Sequence, residues 1–224
     1  VLTKIISSIT GKKRIPLLVI DSPEVLKDRD MFSARGAGIL GFSMLATKVE
    51  YALNNDMELN IDRVKKFSER YQNEPTLVFG FTYMIWEYFY KALFDHSNLI
   101  NLENAIMLHG GGWKKLTDQS VDNNTFKNEI KKVSSISSIY NYYGMVEQSG
   151  SIFIECEEGY LHTSIYSDVI MRRNDFTICD KNETGIIQVI SLLPTSYPGH
   201  SILTEDSGVI IGEDDCSCGR NGKY

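Results

Sequence analysis

Short apolar runs separated by amphipathic segments, through the first two thirds of the chain, constrain its fold more than any other feature. Ile15-Pro-Leu-Leu-Val-Ile20, Thr76-Leu-Val-Phe-Gly80 and Ala105-Ile-Met-Leu108 lack polar alternation, as strands covered on both faces do. A further strand is expected near Ser138 to Tyr142. Between these runs, Ile61, Val64, Phe67 and Tyr71 mark one face of a helix. Thr82 to Phe94 reads as an aromatic helix and Phe126 to Val133 as a polar one. Leu2 to Ile9 has helical spacing closed by Gly11, and Gly38 to Asn55 reads as helix ending at an Asn-Asn pair. The alternation predicts an α/β fold, a doubly wound and mainly parallel sheet flanked by helices.

After about Gly150 the texture changes. Ser151 to Cys156, Ser164 to Met171, Thr184 to Ile190 and Gly208 to Ile211 read as short strands. Turn signals stand at Glu158-Gly159, Thr184-Gly185 and Pro198-Gly199. The expected organisation is an α/β subdomain over 1–150 and a smaller β-rich subdomain over 151–224. The chain begins with Val and stops at Tyr224 in what reads as a continuing segment, so an internal portion of a longer protein is expected.

The net charge of -6 over 224 residues argues against a nucleic-acid partner, because phosphate backbones demand a basic surface. An anionic substrate would need a metal ion or a few placed cations to offset that field. No membrane span is expected: the most apolar stretch, Thr82 to Phe94, is too short and contains Glu87 and Lys91. Val1 to Lys13 lacks the pattern of a signal peptide, and the 4 cysteines are too few for a disulfide scaffold. A reducing, cytoplasmic setting is the expectation.

In an open α/β sheet, ligands bind beyond the carboxyl ends of the strands, which directs attention to the loops after Ile20, Gly80, Leu108 and Tyr142. After Leu108 come His109, Gly110, Gly111, Gly112, Trp113, Lys114 and Lys115. Consecutive glycines let backbone pass close to a flat or charged ligand and offer amide donors; the alternative is a tight strand-to-helix turn. The spacing of a Walker loop is absent. After Tyr142 come Tyr143, Gly144, Met145, Val146 and Glu147. An aromatic before glycine can lay its ring on a purine, and a carboxylate a turn later can hold Mg2+; the alternative is a strand end with a solvated acid. Further on, Thr204-Glu205-Asp206-Ser207-Gly208 puts an Asp where it could accept from both hydroxyls of a ribose, or simply shape a β-turn.

Taken in order, a glycine-rich loop, Tyr-Gly-Met-x-Glu and Thr-x-Asp before glycine resemble the downstream motif series of the adenylate-forming superfamily. His109-Gly-Gly-Gly-Trp-Lys114 and Pro194-Thr-Ser-Tyr-Pro198 resemble the LuxE-type acyl-protein synthetases, and Asp214-Asp-Cys-Ser-Cys-Gly-Arg220 is similar to phenylacetate-CoA ligases. The resemblance implies ATP and Mg2+ as cofactors, and a carboxylic acid, in this family a fatty acid, as substrate. It implies an acyl-accepting protein thiol, or CoA, as acceptor. It implies that Gly110, Gly111 and Gly112, with Trp113, line the adenine and acyl-adenylate, and that Tyr143 stacks on adenine with Gly144 and Met145 completing the pocket. Glu147, the catalytic residue of the set, would hold magnesium, and Asp206 would hold the ribose. A non-catalytic nucleotide-binding module is the more distant alternative, suggested by Glu205 where the family has Gly and Val146 where it has Thr.

The family's phosphate loop would precede Val1, and its mobile C-terminal domain with a catalytic lysine would follow Tyr224. Ser7-Ser8-Ile9-Thr10-Gly11-Lys12 imitates the phosphate loop but sits on an expected helix ahead of a strand. Ser33-Ala-Arg35-Gly-Ala-Gly38 could meet an anion or allow close packing. Cys216-Ser-Cys218 could be half of a zinc site completed by Cys156, Cys179 or a histidine. The acyl-accepting cysteine of the family is expected nearer the C-terminus, so neither Cys216 nor Cys218 is given that role. His162 and His200 read as structural.

Overall fold

The computed structural model describes residues 3–4, 7, 11–12, 14–26, 34–95, 99–148, 150–195 and 197–224. The expected helix over Leu2 to Ile9, and with it the Ser7 to Lys12 segment, falls for the most part outside the described residues. Ser33 and Ser196 lie outside them too. The chain divides into two compact units, Val1–Tyr140 and Asn141–Tyr224. The loop carrying Tyr143 and Glu147 thus belongs with the β-rich unit.

The first unit holds a parallel sheet in the order β2-β1-β3-β4, formed by β1 (Ile15–Val19), β2 (Ala46–Tyr51), β3 (Thr76–Phe81) and β4 (Ala105–Gly110). Among the described residues α-helices accompany it at α1 (Ala34–Ser43), α2 (Ile61–Arg70), α3 (Thr82–Met84), α4 (Lys91–Asp95) and α5 (Asn123–Ser134). Between α3 and α4 the chain stays helical through Ile85–Tyr90, where Lys91 N–H reaches back five residues to the Trp86 carbonyl. The Asn60 and Asp122 side chains cap α2 and α5 by accepting from the amides of Arg63 and Thr125.

Helices cover both faces of this sheet. Leu18, Ile20, Val78 and Met107 share a core with Val64 and Phe67 of α2, Trp86 and Phe89, and Phe126 and Ile130 of α5. Phe79 points the opposite way from Val78 and packs against Phe42 of α1, ring centroids 4.2 Å apart. Doubly wound architecture follows from strands β1, β3 and β4, whose apolar runs lack polar alternation, as the sequence led us to expect. The helix expected over Gly38 to Asn55 is a correction. α1 ends at Ser43, and Ala46–Tyr51 forms β2, paired with β1. Thr47, Val49 and Tyr51 favour extended backbone and alternate with Lys48 and Glu50 at the two-residue period of a strand, not the roughly 3.6-residue period of a helix.

The second unit is antiparallel. The end of β5 (Ser138–Gly144) pairs with β6 (Ile152–Glu155) at Tyr142↔Ile154 and Tyr143↔Phe153, and β6 pairs with β7 (Leu161–His162). A three-stranded sheet, β10-β9-β8, is built from β8 (Ser167–Arg172), β9 (Thr184–Ser191) and β10 (Ser201–Val209). Its core is small: Phe153, Val169, Met171 and Val189, with Tyr143, Met145, Ile187 and Ile210 packed alongside.

Two further expectations need correcting. Thr184-Gly185 is not a turn; Gly185 lies within β9 opposite Gly208. A Cβ there would come within 2.8 Å of the Arg172 carbonyl oxygen, so the glycine permits close approach of backbones. The strand placed at Gly208 to Ile211 begins earlier, at Ser201, so Thr204, Glu205 and Asp206 lie inside β10 and not before it. They occupy a bulge, since pairing jumps from Leu203↔Gln188 to Ser207↔Ile186. Among the described residues no helix is long and apolar enough to cross a membrane.

Candidate functional site

In the first unit, β4 delivers the glycine loop. His109 and Gly110 are the last residues of that strand, registered against Gly80 and Phe81 of β3. The His109 ring is buried, and Nδ1 lies 3.0 Å from Thr82 Oγ1. The Thr82 hydroxyl in turn donates to the Gly110 carbonyl at 3.2 Å, so His109 donates to Thr82, and its Nε2 has no hydrogen-bond partner among the described residues. Burial, helped by the nearby Lys127 charge, pushes the His109 pKa down to about 3, and the ring is neutral near pH 7. This small network holds the exit of β4 in one conformation.

Gly111 follows with φ of 72° and the Phe81 ring 2.9 Å from where a Cβ would stand. Both constraints favour glycine over a residue with a Cβ. Gly112 is exposed with open space around it. Trp113 turns its indole inward, edge-on to Trp86 at 5.4 Å and to Phe126 at 6.2 Å, so its ring anchors the loop in the core. The Lys114 ammonium lies 5.0 Å from the centroid of the Tyr83 ring. Arg35 is engaged by buried Asp21 at 3.0 Å and donates to Tyr83 Oη, which favours the packing reading of its segment over an anion site.

In the second unit, Tyr143 and Asp206, 63 residues apart, come together: the phenol donates to Asp206 Oδ2 at 2.8 Å. The Tyr143 ring also lies parallel to that of Phe153, at 6.0 Å, as expected for partners across an antiparallel pair. Burial first, and the Asp206 carboxylate second, raise the Tyr143 pKa well above the ordinary phenol range, so it remains a donor. The bulge that presents Asp206 is held by Thr204, whose hydroxyl donates to the Ile187 carbonyl at 2.9 Å and accepts from the Asp206 amide at 3.1 Å. Gly144 closes β5, and Met145 packs on the small core. Glu147 sits exposed in the single helical turn Val146–Gln148 and has no ion-pair partner among the described residues.

Gln148 is the residue that reading the sequence passed over. It is fully buried, and Nε2 donates to the carbonyls of Val189 (3.1 Å) and Gly199 (2.6 Å). Those two bonds fasten the Tyr143–Glu147 loop to β9 and to the Pro198-Gly199 turn. The Ser151 hydroxyl, also buried, donates to Ser191 Oγ at 2.8 Å. No local pattern distinguishes such a Gln from a solvated one, because its partners lie 41 and 51 residues away. His109 was visible as part of a motif but not as a buried neutral ring.

An exposed carboxylate that lacks a protein cation suits a hard ion that draws its other ligands from phosphates and water. The Tyr143–Asp206 pair offers an aromatic face next to a hydrogen-bond acceptor, which is what an adenosine requires.

No curated protein sequence matches the chain. Among solved structures, unliganded O-succinylbenzoate coenzyme A synthetase (MenE) from Bacillus subtilis superposes with a TM-score of 0.61 at 16% identity, over 98% of this chain and 46% of that one. The amide bond synthetase McbA from Marinactinospora thermotolerans gives 0.56 at 13% identity, over 100% and 43%. ATP-bound MatB from Rhodopseudomonas palustris gives 0.54 at 11%, over 93% and 39%. The chain therefore spans less than half the length of each, and at these identities the likeness shows the fold. The sequence itself goes further than the fold: residues 2–224 match the family described as acyl-protein synthetase, LuxE, and the chain belongs to that family.

Proposed function

We propose that the protein activates a carboxylic acid, a fatty acid first among candidates, by forming an acyl-adenylate from ATP, and then passes the acyl group to a protein thiol. Family membership over 2–224 is the observation that carries this reading. In the first half-reaction a carboxylate oxygen attacks the α-phosphorus of ATP and pyrophosphate leaves. In the second, a thiolate attacks the acyl carbon and AMP leaves.

The residues of this chain contribute position more than covalent chemistry. In the first unit, Gly110, Gly111 and Gly112 would lie against the acyl-adenylate, their amides free of side-chain obstruction, while Trp113 fixes the loop from behind. In the second, Tyr143 would stack on adenine, with Gly144 and Met145 completing that wall. Asp206 would accept from the ribose hydroxyls, the Tyr143 phenol holding its carboxylate ready. Glu147 would hold Mg2+, which supplies positive charge to the phosphates when bound.

The test is acid-dependent exchange of labelled pyrophosphate into ATP, followed by transfer of labelled fatty acid to protein or to CoA. Exchange that requires a long-chain acid and label that ends on a protein thiol are expected. Label on CoA instead would favour the phenylacetate-type ligase reading, which the Cys216-Ser-Cys-Gly-Arg220 segment supports. Absence of exchange with any acid would leave only nucleotide binding.

A further inference from the structure

Cys156, His162, Cys216 and Cys218 lie on three separate stretches of the second unit, yet their ligand atoms all fall within 4.8 Å of one another. Cys156 directly follows β6, and His162 lies on β7 beyond the turn at Glu158-Gly159. Cys216 and Cys218 come from the loop after β10. The first three side chains are buried and Cys218 is half-buried. All four cysteines of the chain are free thiols, and Cys179 is not part of the group.

We propose that these four residues bind a structural zinc ion. Around tetrahedral zinc, two thiolate sulfurs are separated by about 3.8 Å and a sulfur and an imidazole nitrogen by about 3.6 Å. The Cys156 and Cys216 sulfurs are 4.0 Å apart, and Cys218 Sγ is 3.4 Å from His162 Nε2. Three thiolates and one imidazole are a soft N/S set that favours zinc over the hard cation expected beside phosphates. The cluster is too tight for a cofactor of several metal ions. Four protein ligands leave no open position for substrate, so the role is structural.

The surroundings fit such a role. The Arg220 amide donates to Cys218 Sγ at 3.4 Å, as backbone amides do around metal-bound sulfur. Gly219 turns at φ of 76°, its amide donating to the Cys216 carbonyl at 3.0 Å, which brings both sulfurs of the Cys-x-Cys pair to one side. The Tyr224 ring stacks on His162 at 5.3 Å and 21°. The stretch after Val209 forms no further ladder strand among the described residues; it is tied down by backbone bonds such as Thr163 N–H to the Lys223 carbonyl. An ion would join it to the β6–β7 hairpin across 60 residues of sequence.

The experiment begins with metal analysis of the purified protein under reducing conditions, where stoichiometric zinc is expected. Chelation should lower the melting temperature by about 10 °C or more, and zinc should restore it. Cys218→Ser should lose most of the metal, while Cys179→Ser should retain it. If Cys218→Ser does not fold, a Co2+ titration of the chelated wild-type protein decides: strong thiolate charge-transfer absorption and tetrahedral d–d bands are expected, abolished by added zinc. A weak octahedral spectrum, iron in place of zinc, equal metal content in Cys218→Ser, or a Cys156–Cys216 disulfide in the fully stable protein would each overturn the proposal.

Discussion

The two loops that resemble nucleotide-binding motifs are held by opposite means. The Gly110–Lys114 loop is fixed by packing: an indole driven into an aromatic core, a phenyl ring against Gly111, and a neutral buried imidazole. The Tyr143–Gln148 loop leans on a small core and on directed polar contacts from one buried amide, one phenol and a pair of serines. Packing is forgiving of the partner's identity, whereas each hydrogen bond in a small core must be made by one particular group. The first loop should therefore keep its stability when one apolar side chain replaces another, Gly111 excepted, whereas the second should lose stability whenever one of its polar groups is replaced.

The largest expected effect is on chemistry. Glu147→Gln keeps size and removes the charge a hard cation needs, so adenylate formation should fall by about 3 kcal/mol, roughly a hundredfold, with little change in ATP affinity. Wild-type rates across a magnesium titration would make Glu147 an ordinary surface acid. Next comes Gln148→Ala, which strips two buried carbonyls of their donor. It should destabilise the second unit by about 2.5 kcal/mol, read from urea unfolding. A shift below half of that would mean that the loop is held by its apolar contacts after all.

His109 gives the corresponding test in the first unit. Its folded pKa is near 3 and its unfolded value near 6.5, so between those values the unfolded chain binds a proton that the folded chain does not. Stability from this residue is complete above about pH 6.5 and declines as pH falls, by about 2 kcal/mol at pH 5. Thermal melts from pH 7 to 5 should show this slope, and His109→Gln should flatten it. The smallest effect is expected for Tyr143→Phe, which removes one partly exposed hydrogen bond and should cost about 1 kcal/mol. If Asp206 works with that phenol, the KM for ATP should rise while the maximal rate changes little; an unchanged KM would separate the two residues.

The difference in construction also explains what could be read from the sequence. Strands β1, β3 and β4 lack polar alternation through their middles, so Ile15, Val78 and Met107 declare their burial without any knowledge of partners. β2 hid because its short alternation of Thr47, Val49 and Tyr51 with Lys48 and Glu50 follows only two residues after α1, and β10 because its bulge interrupts the alternation on which strand recognition depends. The motif residues Gly110–Gly112, Tyr143 and Asp206 were legible as a series. The supports behind them were not, since Thr82 lies 27 residues before His109 and Gln148 lies 41 before Val189. Likewise, Cys216 and Cys218 announced half a cluster, but only the β6–β7 hairpin names Cys156 and His162 as its complement.

The bulge in β10 bears on how this segment can change length. Between Leu203 and Ser207 the chain takes four steps while β9 takes two from Gln188 to Ile186, so the excess is an even number. Side chains in a strand point to alternate faces, and an even excess restores the same face on either side of the interruption. Loss or gain of a single residue among Thr204, Glu205 and Asp206 would turn Gly208 and Val209 over, setting a side chain against those of Ile187 and Met171, where Gly208 leaves no room for one. Changes in pairs would leave the downstream strand in phase. The segment that presents Asp206 is thus a place where related chains can differ by two residues and keep the hairpin, and where an odd difference would require a compensating one nearby.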